Sequence, residues 1–132
     1  MAKIGSFLYL SEKDAVRAKQ MFDLKDYNAC GRFCEQSAEK SLKAYIELKG
    51  VQSDINLMHI HKPRRLYERC CELGLCGFDK NIAAELSLLA DYYYDTNYPG
   101  NTYFELAEDQ ARDALNIIEI VNDIVVKKLS QE

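Results

Sequence analysis

Only two histidines, His59 and His61, stand in the 132-residue sequence. No Glu-x-x-His, Cys-x-x-Cys or His-x-x-His occurs. That excludes the di-iron carboxylate bundles, which need Glu-x-x-His on two helices, and leaves no zinc signature. P-loop and G-x-G-x-x-G signatures are also missing, as is any Ser/Cys–His arrangement. No apolar run approaches the ~20 residues of a membrane span. The apolar run in the opening MAKIGSFLYLSEKD is too short for a signal peptide, and no small-residue cleavage site follows it. A cytoplasmic protein is therefore expected, with no membrane, metal or cofactor. The five cysteines are Cys30, Cys34, Cys70, Cys71 and Cys76. An odd number in such a chain argues against a disulfide framework. Cys30 and Cys34 read as buried apolar thiols. A net charge of -4 excludes a surface that attracts nucleic acid everywhere, so any such contact needs a local basic patch.

What is present is helical periodicity. The stretch Tyr27 to Gly50 carries Ala29, Cys30, Phe33, Cys34, Ala38, Leu42, Tyr45 and Ile46 at three- and four-residue spacings. Arg32, Glu35, Glu39, Lys43 and Glu47 are expected on the opposite, solvated side, with Glu39 and Lys43 as an i,i+4 pair. Asp26 is the expected N-cap, and Gly50 the left-handed C-cap. Gly31 and Ser37 are small enough to admit another helix.

The rest of the chain follows suit. Met1 to Leu10 reads as an arm whose Phe7–Leu10 run packs on the bundle or on a partner. Ser11 opens a helix to about Leu24, with Asp14 at the capping-box position. The short connection makes this helix and the long one a hairpin. A polar linker from Val51 leads to Pro63, the expected first residue of a third helix with Leu66, Tyr67 and Cys70 inward and Gly74 at its end. Asp79 caps a fourth helix to about Tyr94, with Tyr93 in the core. The last starts near Thr102, with Glu105 in a capping box. Ala107, Ala111, Ala114, Ile118, Val121 and Val125 form its seam. The expected fold is one domain over residues 1–132: an all-α, up-and-down bundle of about five helices.

Gln36-Ser37-Ala38-Glu39-Lys40-Ser41-Leu42-Lys43-Ala44 resembles the Q-x-A-E-K-x-L-K-A core of HEPN domains, helical domains found beside nucleotidyltransferases in prokaryotes and in some eukaryotic chaperones. Asp14 and Ala18 resemble the D-x-x-x-A of the family's first helix. Tyr92 to Gly100, YYYDTNYPG, resembles its Y-Y-x-x-T-R-Y-P loop, with Asn97 where the family has Arg. His61-Lys62-Pro63-Arg64-Arg65-Leu66 keeps the His and last Leu of H-x-L-x-x-L but puts Pro at the middle position. The resemblance runs from about Ser11 to Leu129. It implies a nucleotide- or RNA-binding module accessory to a minimal nucleotidyltransferase, pairing as a homodimer with the ligand cleft between subunits.

The nuclease members of this family resemble one another in an Arg-x(4–6)-His motif, which supplies a proton-transfer group and a cation. Neither His59 nor His61 has an Arg at that spacing. The expected function is therefore non-catalytic binding. An RNA-cleaving toxin with a degenerate site, and a purely structural helical dimer, are the alternatives. His59, His61, Lys62, Arg64, Arg65 and Arg69 make the one dense basic cluster, read either as a phosphate site or as a solvated helix face with His61 capping. Tyr92, Tyr93, Tyr94 and Tyr98 are the conspicuous aromatics, able to stack a base or to bury at a second subunit. Tyr98 beside Pro99 also reads as a packed loop anchor. Asp91 and Asp95 read as solvated acids. The candidate ligand-binding residues are His61, Lys62, Arg64, Arg65, Arg69, Tyr94, Asn97 and Tyr98, with no catalytic residue. The surplus of apolar and aromatic positions (Phe7, Leu8, Leu10, Tyr92, Tyr94, Tyr98) also points to a homodimer.

Overall fold

A computed structural model describes residues 2–131. Five α-helices, α1 (Phe7–Asp23), α2 (Tyr27–Lys49), α3 (Pro63–Glu72), α4 (Ile82–Asp95) and α5 (Glu108–Ser130), are joined by loops and one 3₁₀ segment, Gln52–His59. The bundle is all-α, as expected, and no strand occurs among the described residues. No helix among them is long and apolar enough to cross a membrane.

α2 is the axis. It packs against α1, α3, α4, α5 and the 3₁₀ segment. Its stripe of Cys30, Cys34, Ala38, Leu42, Tyr45 and Ile46 is buried, and α4 and α5 supply Leu86, Leu89, Ala114, Ile118, Val121 and Val125 to the same core. Asp26 caps α2 as expected, its Oδ1 accepting from the Ala29 amide at 3.1 Å. The tight α1–α2 turn runs through Lys25 in the left-handed region, φ 63°.

Several local expectations are corrected. α1 begins at Phe7, four residues before Ser11, because Ser6 is the cap and accepts from the Tyr9 amide at 3.2 Å. The Phe7–Leu10 run is thus the first turn of a helix, half-buried on its own bundle, and the arm shrinks to the residues before Ser6. Ser11 is buried instead of exposed at a helix end. It donates to the Ser37 carbonyl at 2.7 Å while Ser37 Oγ donates back to the Ser11 carbonyl at 2.9 Å. Asp14 is buried mid-helix, paired with Arg17 at 3.2 Å and with Lys40. The small residues Ser37 and Gly31 are used within the chain: a Cβ at Gly31 would lie 2.8 Å from Leu106 Cδ2.

Gly50 is extended (φ -77°, ψ 175°) and is no left-handed cap. Its glycine is required by space, since a Cβ would stand 2.6 Å from the Ile46 carbonyl oxygen and 2.7 Å from Asp54 Oδ2. α5 starts at Glu108, later than Thr102. The preceding residues run extended, pinned where Asn28 Oδ1 accepts from the Leu106 amide at 2.8 Å, and Gln110 Oε1 accepts from the Ala107 amide at 2.8 Å. Ala107 is therefore outside the seam and exposed. Asn81, beside Asp79, precedes α4. Tyr92 is the tyrosine in the core, and Tyr93 is only half-buried.

Ala38 is completely buried at the centre of α2. Ala38→Glu is expected to cost about 3 kcal/mol or more, because a carboxylate there is desolvated without a partner. Thermal unfolding checks it; a melting temperature within about a degree of wild type would contradict the packing described.

Candidate nucleotide or RNA phosphate site

Pro63 sets the start of α3. Its fixed φ suits the first helical position, and Lys62 stands as the extended N-cap, φ -126° and ψ 97°. His61, Lys62, Arg64 and Arg65 are therefore projected from one short corner. They line a groove of about 370 Å³ whose opposite wall is α4, through Ser87, Ala90, Asp91 and Tyr94. Glu68 completes the α3 side. Burial and the neighbouring Asp95 push the Asp91 carboxyl above its ordinary range. Three permanent cations thus share one opening with Glu68 on their own side and Asp91 across from them. His61 does not cap α3, since no side chain caps that helix.

Beneath His61 lies a feature the periodicity assigned to solvent. Glu35, Glu39 and Lys43 form one row on α2, and all three are at least 97 % buried. They flank the apolar stripe of α2, where the loop before α3 reaches them through His61. Glu39 Oε1 accepts from Lys43 Nζ at 2.8 Å and is 2.8 Å from His61 Nδ1. Burial opposes ionisation of Glu39, but hydrogen bonds from Glu35, Lys43 and His61 outweigh it and hold the carboxyl below its usual range. Glu39 Oε2 is also buried and has no hydrogen-bond partner. Burial, reinforced by Glu39, pushes Glu35 up to about 9. Gln36 Nε2 donates to Glu35 at 2.7 Å. The pair therefore holds one proton on Glu35 and one negative charge on Glu39.

The other candidate residues are placed elsewhere. Arg69 turns away from the groove and forms a bidentate pair with Asp54, at 2.8 Å from Nε and 3.0 Å from Nη2. That bond first of all holds the Asp54 carboxyl below its ordinary range. Arg69 is thus committed to anchoring the 3₁₀ segment. His59 is exposed and does not line the groove. Asn97 and Tyr98 line a separate shallow pocket with Pro99, Gly100 and Tyr103. Tyr98 nonetheless stacks on Tyr94, ring centroids 6.1 Å apart and planes 30° apart, so Tyr94 joins the two regions. Sequence reasoning missed Glu35, Glu39 and Lys43 as neighbours of the site. Their spacing of four residues each was the available signal, since it aligns them in one row, but it does not say that other helices cover that row. Ser87, Ala90 and Asp91 were invisible as groove residues because they depend on how α4 docks.

Such a bundle, with α2 packed against all the other helices and a basic corner opening onto α4, defines an all-α class of helical domain. The HEPN domain family model matches residues 6–129. The chain belongs to the HEPN domain family. No curated protein and no solved structure matches it.

The buried proton on Glu35 makes stability depend on pH. Its folded-state value is raised, so stability is full below the range where an unfolded glutamate titrates and falls as pH rises toward about 9. Glu35→Gln keeps the shape and carries no proton to lose. It is expected to raise the melting temperature at alkaline pH and to flatten its decline. A variant whose melting temperature falls in parallel with wild type between about pH 5 and 9 would contradict this reading.

Proposed function

We propose that this HEPN domain is a non-catalytic binding module. It takes a phosphate-bearing ligand, either a nucleotide or an RNA backbone, in the α3–α4 groove, and acts as an accessory to a nucleotidyltransferase. The observation that carries this is the convergence of His61, Lys62, Arg64 and Arg65 on one opening, with the exposed ring of Tyr94 on the far wall. Cations from a single corner fit phosphate contact, and an aromatic face across from them fits a base. Asp91 and Glu68 restrict the positive field to that corner, which suits local recognition rather than general attraction of polyanions. The absence of Arg-x(4–6)-His, and Asn97 in place of the family arginine, support binding without cleavage. The nucleotidyltransferase partner rests on the family.

Binding is measured by fluorescence anisotropy with labelled single-stranded RNA and with nucleotides. Replacing Lys62, Arg64 and Arg65 together by Gln is expected to weaken binding about tenfold or more and to reduce its salt dependence. Unchanged affinity in that variant would remove the groove as the site. RNA incubated with the protein and EDTA is expected to be recovered intact. Cleavage that disappears on replacing His61 would favour the toxin reading instead.

The domain is further proposed to act as a homodimer. Tyr94, Tyr98 and Tyr103 are each about half-exposed at one end. A larger apolar groove of about 580 Å³ lies between α1 and α5, floored by Ala15, Leu115 and Ile118. Exposed apolar surface of this kind marks interfaces. Light scattering across a dilution series is expected to give a dimer mass; a monomer at tens of micromolar protein would remove the pairing.

A further inference from the structure

His61 is held by one nitrogen only. Its Nδ1 lies 2.8 Å from Glu39 Oε1, while the side chain as a whole is 67 % exposed at the groove. Glu39 is ionised and can only accept, so Nδ1 must carry the proton in that contact. The neutral ring, which lines the groove, then has Nε2 as a bare acceptor, which is unfavourable next to a phosphate oxygen. Adding one proton turns the same Nε2 into a charged donor without moving the ring. The buried carboxylate on the far side supports the resulting imidazolium, as second-layer carboxylates do wherever a histidine must keep one tautomer and one orientation.

We propose that His61 is a proton-dependent phosphate donor, its ring set by Glu39, so that ligand capture in the α3–α4 groove tightens as the imidazole takes up its second proton. This rests on the groove reading given above. Glu39 is a positioning residue in it, and Lys62, Arg64 and Arg65 supply the attraction that does not vary with pH. The other groups facing His61 have been accounted for. From α2, Lys43 shares Glu39, and Glu35 lies beyond it, protonated. From α3 and α4 come Glu68, Asp91 and Tyr94. Asp91, whose raised carboxyl would also lose charge on acidification, and Glu35, whose raised carboxyl gains charge toward about pH 9, are the rival sources of pH dependence.

The probe is a short oligouridylate, whose diester phosphates each keep one charge throughout the range, alongside the dinucleotide uridylyl-uridine. The same pH comparison is made in whichever of the two binds. If only the longer probe binds, the ligand is an RNA backbone; if both bind alike, it is nucleotide-sized. Wild type is expected to bind about tenfold tighter at about pH 5.5 than at about pH 8, the gain of one charge-assisted hydrogen bond. His61→Gln, a change at an exposed side chain, is expected to abolish that ratio. Glu39→Gln, which removes the carboxylate holding Nδ1, is expected to reduce the ratio while phosphate attraction by Lys62, Arg64 and Arg65 persists. A ratio near one in wild type, with binding intact, overturns the inference and leaves the groove reading standing. A ratio that survives in His61→Gln overturns it in favour of a neighbouring carboxyl, Asp91 or Glu35. No binding at either pH overturns the groove reading as well.

Discussion

The carboxylate of Glu39 is the constraint on which the arrangement depends. It is a full negative charge on a helix enclosed by its neighbours, 2 % exposed. A charge so placed persists only if donors surround it. Here a lysine one turn along α2, a histidine from the loop before α3 and a protonated glutamate one turn back provide them. Removing one partner of such a group costs roughly 3–5 kcal/mol, since the remaining charge stays buried. The requirement therefore reaches from the centre of α2 to the corner that carries the cations, and fixes where that corner sits.

The fold and the site are coupled through this row. α2 turns its apolar stripe to the core, with the charged row Glu35, Glu39 and Lys43 buried along the stripe's edge. Arg32 ties the start of α2 to the end of α4, donating to Thr96 Oγ1 at 3.3 Å. Arg69 and Asp54 tie the 3₁₀ segment to α3. Both arginines are thus spent on holding the walls. The cations left at the groove are those emerging at the start of α3, where an extended Lys62 and a proline at the first helical position turn the chain outward.

Much of the fold was legible because a 3.6-residue period records burial directly. The α2 stripe and the α5 seam from Ala111 to Val125 are buried where the spacing put them. Helix starts were less legible. Ser6, Ser11 and Thr102 are all chemically able to cap, and only the packing of Ser11 against Ser37 decides that α1 begins earlier. Gly50 was placed correctly for the wrong reason, since what demands glycine is crowding by the Ile46 carbonyl and by Asp54 on the next segment. Of the basic cluster, His61, Lys62, Arg64 and Arg65 were readable from adjacency. The loss of Arg69 to Asp54 was not, because an ion pair across 15 residues depends on the path of the intervening chain. The charged row of α2 was misread for a related reason. Amphipathic reasoning equates charge with solvent, and it fails where one helix has neighbours on every side and the charges neutralise one another.

In the proposed arrangement Glu39 fixes the proton of neutral His61 on Nδ1 and leaves Nε2 unprotonated. A long-range hydrogen–nitrogen NMR correlation spectrum of the imidazole rings, recorded at alkaline pH, reads this directly. The account predicts that His61 shows the Nδ1-protonated pattern, the minor form of free histidine, and that Glu39→Gln weakens that preference while exposed His59 is unchanged. A His61 ring protonated on Nε2 in the wild-type protein would contradict it.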